Sequence, residues 1–327
     1  MFARFPGLVS ASLARRISIL AAIMVLATPQ LCLAQAAPLD MSASTPTRTQ
    51  AEPSPAPLPP AGSVSGMGDV NIYPKRIVID GRQRLGSLGM FNHTASPGEY
   101  EIGLSDMMMT SEGQLIELST VTDEAARARV RTAGSLLRWS PHHVSLAGNE
   151  AQTVHIMVRI SPDLPPGEYR SHFSVISVPD LSGGLTIDEA AGATSVSGIG
   201  VRIVPRFGIS VPIIVRVGDT TLTSGLKDLT IASVPDGGKI VSLTITRAGT
   251  RSSFGDIAVV PAGSKNPIAQ VMGIGVYTEV TERKVQIPII PKSDPKFYAR
   301  GARLTVIYTD DDVAPGRVLA KQEFTVP

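Results

Sequence analysis

Cys32 is the only cysteine in the chain. It lies in an N-terminal stretch that reads as a cleaved leader, so the mature protein would carry no thiol and no disulfide. After export, stability must then come from packing alone. Aromatic residues make up only 5% of the chain, with one tryptophan, Trp139. Charge of neither sign is in large excess: 30 Lys and Arg face 28 Asp and Glu, for a formal net charge of +2. The cations are scattered, whereas a nucleic-acid binder clusters them on one face, so no nucleic acid is expected as a partner. No apolar run reaches the roughly 20 residues of a membrane-spanning helix, so no stable membrane insertion is expected once the leader is gone.

Catalytic constellations are missing too. There is no Ser/His/Asp set, no Gly-x-Ser-x-Gly elbow and no glycine loop of phosphate-cradling form. Gly273-Ile274-Gly275 sits inside a strand pattern, where glycine marks a bulge. His142 and His143 are adjacent and would face opposite sides of a strand, which does not suit one metal ion. Met107-Met108-Met109 reads as packing at a strand end. Asp310-Asp311-Asp312 lacks the spaced ligands of a calcium loop and reads as a solvated turn. The expectation is a non-enzyme with no cofactor and no metal.

What the chain does have is a leader, a tether and many strands. Arg4, Arg15 and Arg16 precede an apolar core at residues 17–28, and Ala34-Gln35-Ala36 is a small-x-small cleavage site, so residues 1–36 read as a signal peptide. Residues 37–66, including PSPAPLPPAG, are too poor in large apolar groups to offset ordering entropy and read as a disordered linker. Val, Ile and Thr dominate the segments beyond it, and 30 glycines and 26 prolines punctuate them. That pattern is all-β. About seven short strands in residues 67–217 suggest an immunoglobulin-like β-sandwich, and residues 218–327 a second β-sandwich. Residues 123–132 are rich in helix formers and read as a short helix or ordered loop. Residues 180–197 read as a mobile loop rich in Gly, Ala and Ser.

The organising stretch is 199–217, IGVRIVPRFGISVPIIVRV. Its odd positions are all large and apolar except Pro205, and its even positions include Arg202, Arg206, Ser210 and Arg216. Period-two alternation predicts one long strand with an apolar and a polar face. Pro205 and Pro212 cannot donate to a ladder and mark it as an edge. A long apolar edge is an aggregation hazard unless a partner pairs with it, and pairing with a partner is the reading taken here.

An ordered set of short motifs sharpens that reading: Val70-x-Ile72, Arg76-x-Val78-x-Asp80-Gly81, Asn92, Leu137-x-x-Ser140-Pro141, Gln152-Thr153-Val154, Leu164-Pro165, Ser171-x-Phe173 and Val178-Pro179. Together they resemble the N-terminal domain of the periplasmic pilus-assembly chaperones of the chaperone–usher pathway. The resemblance implies two immunoglobulin-like domains and a periplasmic location. It implies a pilin-like subunit and an outer-membrane usher as partners. The last strand of domain one would lend alternating apolar side chains to the subunit: Ile199, Val201, Ile203, Phe207 and Ile209. Arg76 would anchor the subunit's C-terminal carboxylate. The family's second anchor, a lysine, falls on Pro212, and Arg206 is the candidate replacement. Arg216 and Glu168 fall at the domain junction, where Tyr169-Arg170-Ser171 replaces the family's Arg-Glu-Ser. The competing reading is a structural or adhesive surface β-sandwich protein without chaperone activity, its long strand covered by its own second domain.

Overall fold

Valine-, isoleucine- and threonine-rich alternation produces nineteen strands among the residues that the computed structural model describes, namely 64–65, 68–81, 83–179, 206–235 and 237–327. The leader, most of the linker, the 180–197 loop and the donor positions Ile199, Val201 and Ile203 lie outside the described residues. The linker is shorter than expected at its C-terminal end. Strand β1 (Val64–Ser65) already pairs with Ile72 and Asn71 of β2 (Val70–Tyr73).

The chain is all-β, and its strands form two sandwiches. In the first, one sheet runs β1-β2-β4-β10-β8, with β4 (Leu85–Asn92), β8 (Leu137–Ser140) and β10 (Ala151–Val158). The facing sheet runs β3-β12-β11-β5-β9, with β3 (Ile77–Ile79), β5 (Gly98–Ser105), β9 (His143–Leu146), β11 (Gly167–Val178) and β12 (Gly208–Val217). The chain changes sheet at Pro74, between β2 and β3, where the missing N–H would break a continuous ladder. Alternation does the sorting. Val154, Ile156 and Val158 of β10 are buried, while Thr153, His155 and Met157 between them are exposed. Ile72, Leu88, Ile156, Tyr100, Phe173 and Ile213 fill the space between the two sheets.

The second sandwich sets β13-β14-β17 against β16-β15-β18-β19. These are β13 (Leu222–Ser233), β14 (Lys239–Gly249), β15 (Ser253–Pro261), β16 (Ala269–Val276), β17 (Glu282–Pro288), β18 (Arg303–Asp310) and β19 (Val318–Thr325). Its core includes Val241, Ile245, Val259, Val306 and Tyr308. Burial raises the Tyr308 phenol's pKa, and that phenol accepts from Ser253 and donates to the Ile274 carbonyl. β13 begins at Leu222 and runs through an irregularity. The pairing with β14 shifts register between Lys227 and Thr230, around Asp228 at φ 56°, and that bulge hides the alternation from a reading in sequence.

A hairpin and one helical turn complete the first sandwich. Helix α1 (Glu124–Arg127) is a single turn whose N-cap, Asp123, accepts from the Ala125 and Ala126 amides. Strands β6 (Met107–Met109) and β7 (Leu115–Glu117) form a hairpin that reaches the second sandwich. There the Lys284 amide donates to the Ser111 carbonyl at 2.7 Å.

Candidate functional site: the β12 edge and the cleft beside it

β12 pairs with β11 along its whole length, from Ile176↔Gly208 to Gly167↔Val217. On its other side β3 covers only Ile213, Ile214 and Val215. Residues 208–212 therefore present a free strand edge among the described residues. The odd side chains Ile209, Val211, Ile213 and Val215 all point into the first core. This corrects the expectation for Ile209: at 9% exposure it is a core residue of its own domain and does not project toward a partner. The reason is that the apolar face of β12 is the face on which its own sheet packs. The strand is also shorter than expected, since Arg206 and Phe207 precede it without strand pairing. Phe207 stays 38% exposed, and its backbone N and O are taken by the Ser177 side chain and amide.

The other face of β12 becomes the domain junction. Ile214 is fully buried against Met109, Phe254 and Tyr277, a small core shared by the two sandwiches. Two positions on, Arg216 is 4% exposed and stands directly across from Glu168 of β11. Its Nε donates to Glu168 Oε2 at 3.2 Å, and its Nη2 donates to Asp312. Glu168 also accepts from the Ser252 amide and hydroxyl. Burial presses the Arg216 guanidinium toward neutrality, but the hydrogen bonds and charges of Asp312 and Glu168 outweigh it. Its pKa lies above the ordinary arginine value.

A second buried pair braces the junction. Arg170 of β11 grips Glu279 with two bonds, 3.1 and 2.9 Å, and donates to the Met107 carbonyl at 2.6 Å. Its guanidinium lies 3.6 Å over the Tyr277 ring, and Glu279 in turn accepts from the Met109 amide at 2.9 Å. His172, two residues along β11, is buried with neither ring nitrogen hydrogen-bonded. Burial and the nearby Arg170 charge push its pKa down to about 3.

Arg76 sits where β3 begins, 4.0 Å over the Phe254 ring. Its Nη2 donates to Asp311 Oδ1 at 3.0 Å and to the Asp311 carbonyl at 3.2 Å. Lys75 Nζ reaches the same carboxylate at 3.1 Å. Beside them opens a cleft of about 290 Å³, lined by Lys75, Arg76, Pro212, Phe254, Tyr277 and Arg283 among others. Arg283 donates to the Gly275 carbonyl, its Nε is buried without an acceptor, and burial lowers its pKa.

Two expectations need correcting here. Arg206 does not complete a site with Arg76. It donates to Glu101 at 2.8 Å at the opposite end of β12, seven residues before Ile213, which pairs with Ile77 next to Arg76. Seven extended residues span roughly 23 Å. The acidic run is not a solvated turn either. Asp310 is 3% exposed and accepts from the Asp312 and Ala314 amides, while Asp311 and Asp312 receive Lys75, Arg76, Arg216 and Arg251. Their charges are neutralised across the junction, which no local pattern announces. His142 packs against Trp139 with ring centroids 4.6 Å apart, and His143 faces Glu99 at 3.6 Å.

Sequence reading missed Glu279 and Arg283 and did not foresee that Arg170 carries a buried ion pair. For Arg170 a signal did exist. The Tyr169-Arg170-Ser171 motif already set it at the domain junction, where a buried cation requires a counter-charge. Glu279 and Arg283 carry no such mark.

No family model matches the chain, and no curated protein matches it. Solved structures do. The YadV chaperone is 14% identical, with 79% of this chain and 100% of that chain covered, at a TM-score of 0.40. The Pseudomonas aeruginosa CupB2 chaperone is 10% identical, with 78% of this chain and 100% of that chain covered and a TM-score of 0.39. The complex of the Salmonella enterica SafA pilin with the SafB chaperone contributes a chain 12% identical, with 80% and 99% covered and a TM-score of 0.36. No helix among the described residues is long and apolar enough to cross a membrane.

Proposed function

We propose that this chain is an exported, non-enzymatic chaperone. It acts in the periplasm after its leader is cleaved, holds pilin-like subunits by strand addition and passes them to an outer-membrane usher. The observation that carries the reading is the part-covered β12: among the described residues, 208–212 keep one edge unpaired while Ile213, Ile214 and Val215 are locked between β3 and β11. A strand anchored at one end and open at the other offers main-chain hydrogen bonds to a subunit that lacks a strand, and side chains upstream supply specificity. On this reading Ile199, Val201 and Ile203 insert into the subunit, with Phe207 at the point where the strand enters the fold. Each large aliphatic side chain buried in this way contributes roughly 1.5–3 kcal/mol. Arg76 offers a planar fork suited to a carboxylate, next to a cleft that could admit the end of a chain.

Charge on the donor face tests the idea. The double variant Val201→Asp/Ile203→Asp is expected to abolish recovery of the subunit from the periplasm when both are co-expressed, with the chaperone's own level unchanged. Equal subunit yield would sink strand addition. One observation favours the structural or adhesive reading instead, namely that Arg76 and Arg216 both already hold carboxylates of the same chain. Amide exchange over 208–212 separates the two. Fast exchange in the isolated protein that slows with the subunit present fits the chaperone, and slow exchange in the isolated protein fits the alternative.

A further inference from the structure

Three cations converge on the junction cleft, and few carboxylates answer them. Lys75 is half-exposed, Arg76 is nearly buried and Arg283 has an orphaned Nε. Asp311 is the carboxylate bonded to Lys75 and Arg76. Asp312, 4.0 Å from Arg76, is shared with Arg216 and Arg251. Arg283 has no carboxylate within ion-pair distance among the described residues. The rest of the wall is apolar and aromatic, with Met109, Phe254 and Tyr277. The site already displays the group it accepts, a carboxylate on the Arg76 fork. That carboxylate comes from a short turn between β18 and β19, held by the Asp310 side chain through the Asp312 and Ala314 amides.

The geometry points to Asp311 as a built-in plug on the Arg76 fork at the edge of the cleft, a carboxylate that an external carboxylate must displace from Arg76. This rests on the chaperone reading insofar as it takes the end of a partner chain as the ligand. Asp311 blocks in two ways. It holds the Nη2 edge of Arg76, which a bidentate ligand would need, and it neutralises Lys75. A second carboxylate entering beside it would meet a like charge in a partly desolvated site. Once the plug swings out, Lys75, Arg76 and Arg283 together face the newcomer. The turn that carries Asp311 is tied to the partner-free form of the cleft, so capture of a partner is coupled to release of a junction contact.

The test uses the full mature chain and a six-residue peptide, acetyl-Ser-Val-Thr-Val-Thr-Phe, as free acid and as C-terminal amide. Binding is followed by the arginine Nε–Hε resonances. Asp311→Asn keeps the shape and removes the charge. The free acid is expected to bind this variant about tenfold more tightly than the wild type, with the amide unaffected. Asp311→Ser should do the same if the asparagine variant folds poorly, and Asp228→Asn, at an exposed carboxylate on β13 of the same sandwich, should change nothing. Equal or weaker binding of the free acid to both Asp311 variants would overturn the plug and make Asp311 a residue that orients Arg76. Equal tightening of acid and amide would also overturn it. If neither peptide binds any form, the carboxylate anchor of the chaperone reading falls along with the plug.

Discussion

Residues 208–212 and 213–217 of β12 share one alternation and one partner strand, yet they live in different surroundings. In the first half only the odd face is buried, Ser210 is exposed, and one backbone edge is open. In the second half both faces are buried: Ile213 and Val215 in the first core, Ile214 and Arg216 in the junction. The contrast shows how a fold makes a strand that is both fixed and available. The covered half holds position by burial and ion pairing. The open half costs little to leave unpaired, because its outward groups are small, polar or lack an N–H.

That comparison can be broken most strongly at Arg216. Arg216→Met leaves Glu168, 1% exposed, with its charge uncompensated, and is expected to cost about 3–5 kcal/mol in urea unfolding. A loss under roughly 1 kcal/mol would mean that Ser252 alone satisfies Glu168. Ile213→Ala in the covered half should cost about 3 kcal/mol through lost burial and a cavity in a fully packed site.

His172 lies across from Pro212, where the two halves meet, and it sharpens the contrast through pH. Its folded pKa is depressed from 6.5 to about 3, so the unfolded chain binds a proton that the folded chain refuses. Its neutral form costs nothing above pH 6.5, and stability is lost as the pH falls from there toward 3. The loss by about pH 5 should be about 2 kcal/mol, and His172→Leu should flatten that part of the profile. An unchanged profile would show that His172 is not the group responsible. The smallest effect belongs to the open half. Ser210→Lys should leave the unfolding midpoint within about 0.5 kcal/mol of wild type, because the side chain is solvated, while lowering subunit capture. A large stability loss there would mean the edge is covered in the free protein.

Much of this was legible in sequence. The many short strands of the first sandwich follow from alternation and turn residues, because most lie on a sheet with one packed face. Through the family resemblance Arg76 and Arg216 stood out. Their partners did not. Asp311 is separated from Arg76 by 235 residues in sequence, and Asp312 from Arg216 by 96. A run of three aspartates reads the same whether it faces water or arginines. Ile209 was misjudged for a related reason: alternation says which residues share a face but not which neighbour covers that face.

The sequence by itself determined the all-β class, the lack of any disulfide within the chain and the presence of one unusually apolar strand. These depend on composition and on the period of two residues, which are local properties of the chain. Only the tertiary structure decided that β3 pairs with Ile213, Ile214 and Val215 of β12 and, among the described residues, leaves the edge of 208–212 open. It alone placed Arg206 at the opposite end from Arg76 and turned an acidic turn into the counter-charge of the junction. Those outcomes depend on the docking of segments far apart in sequence, where burial and Coulomb energy are set by neighbours that no local pattern names.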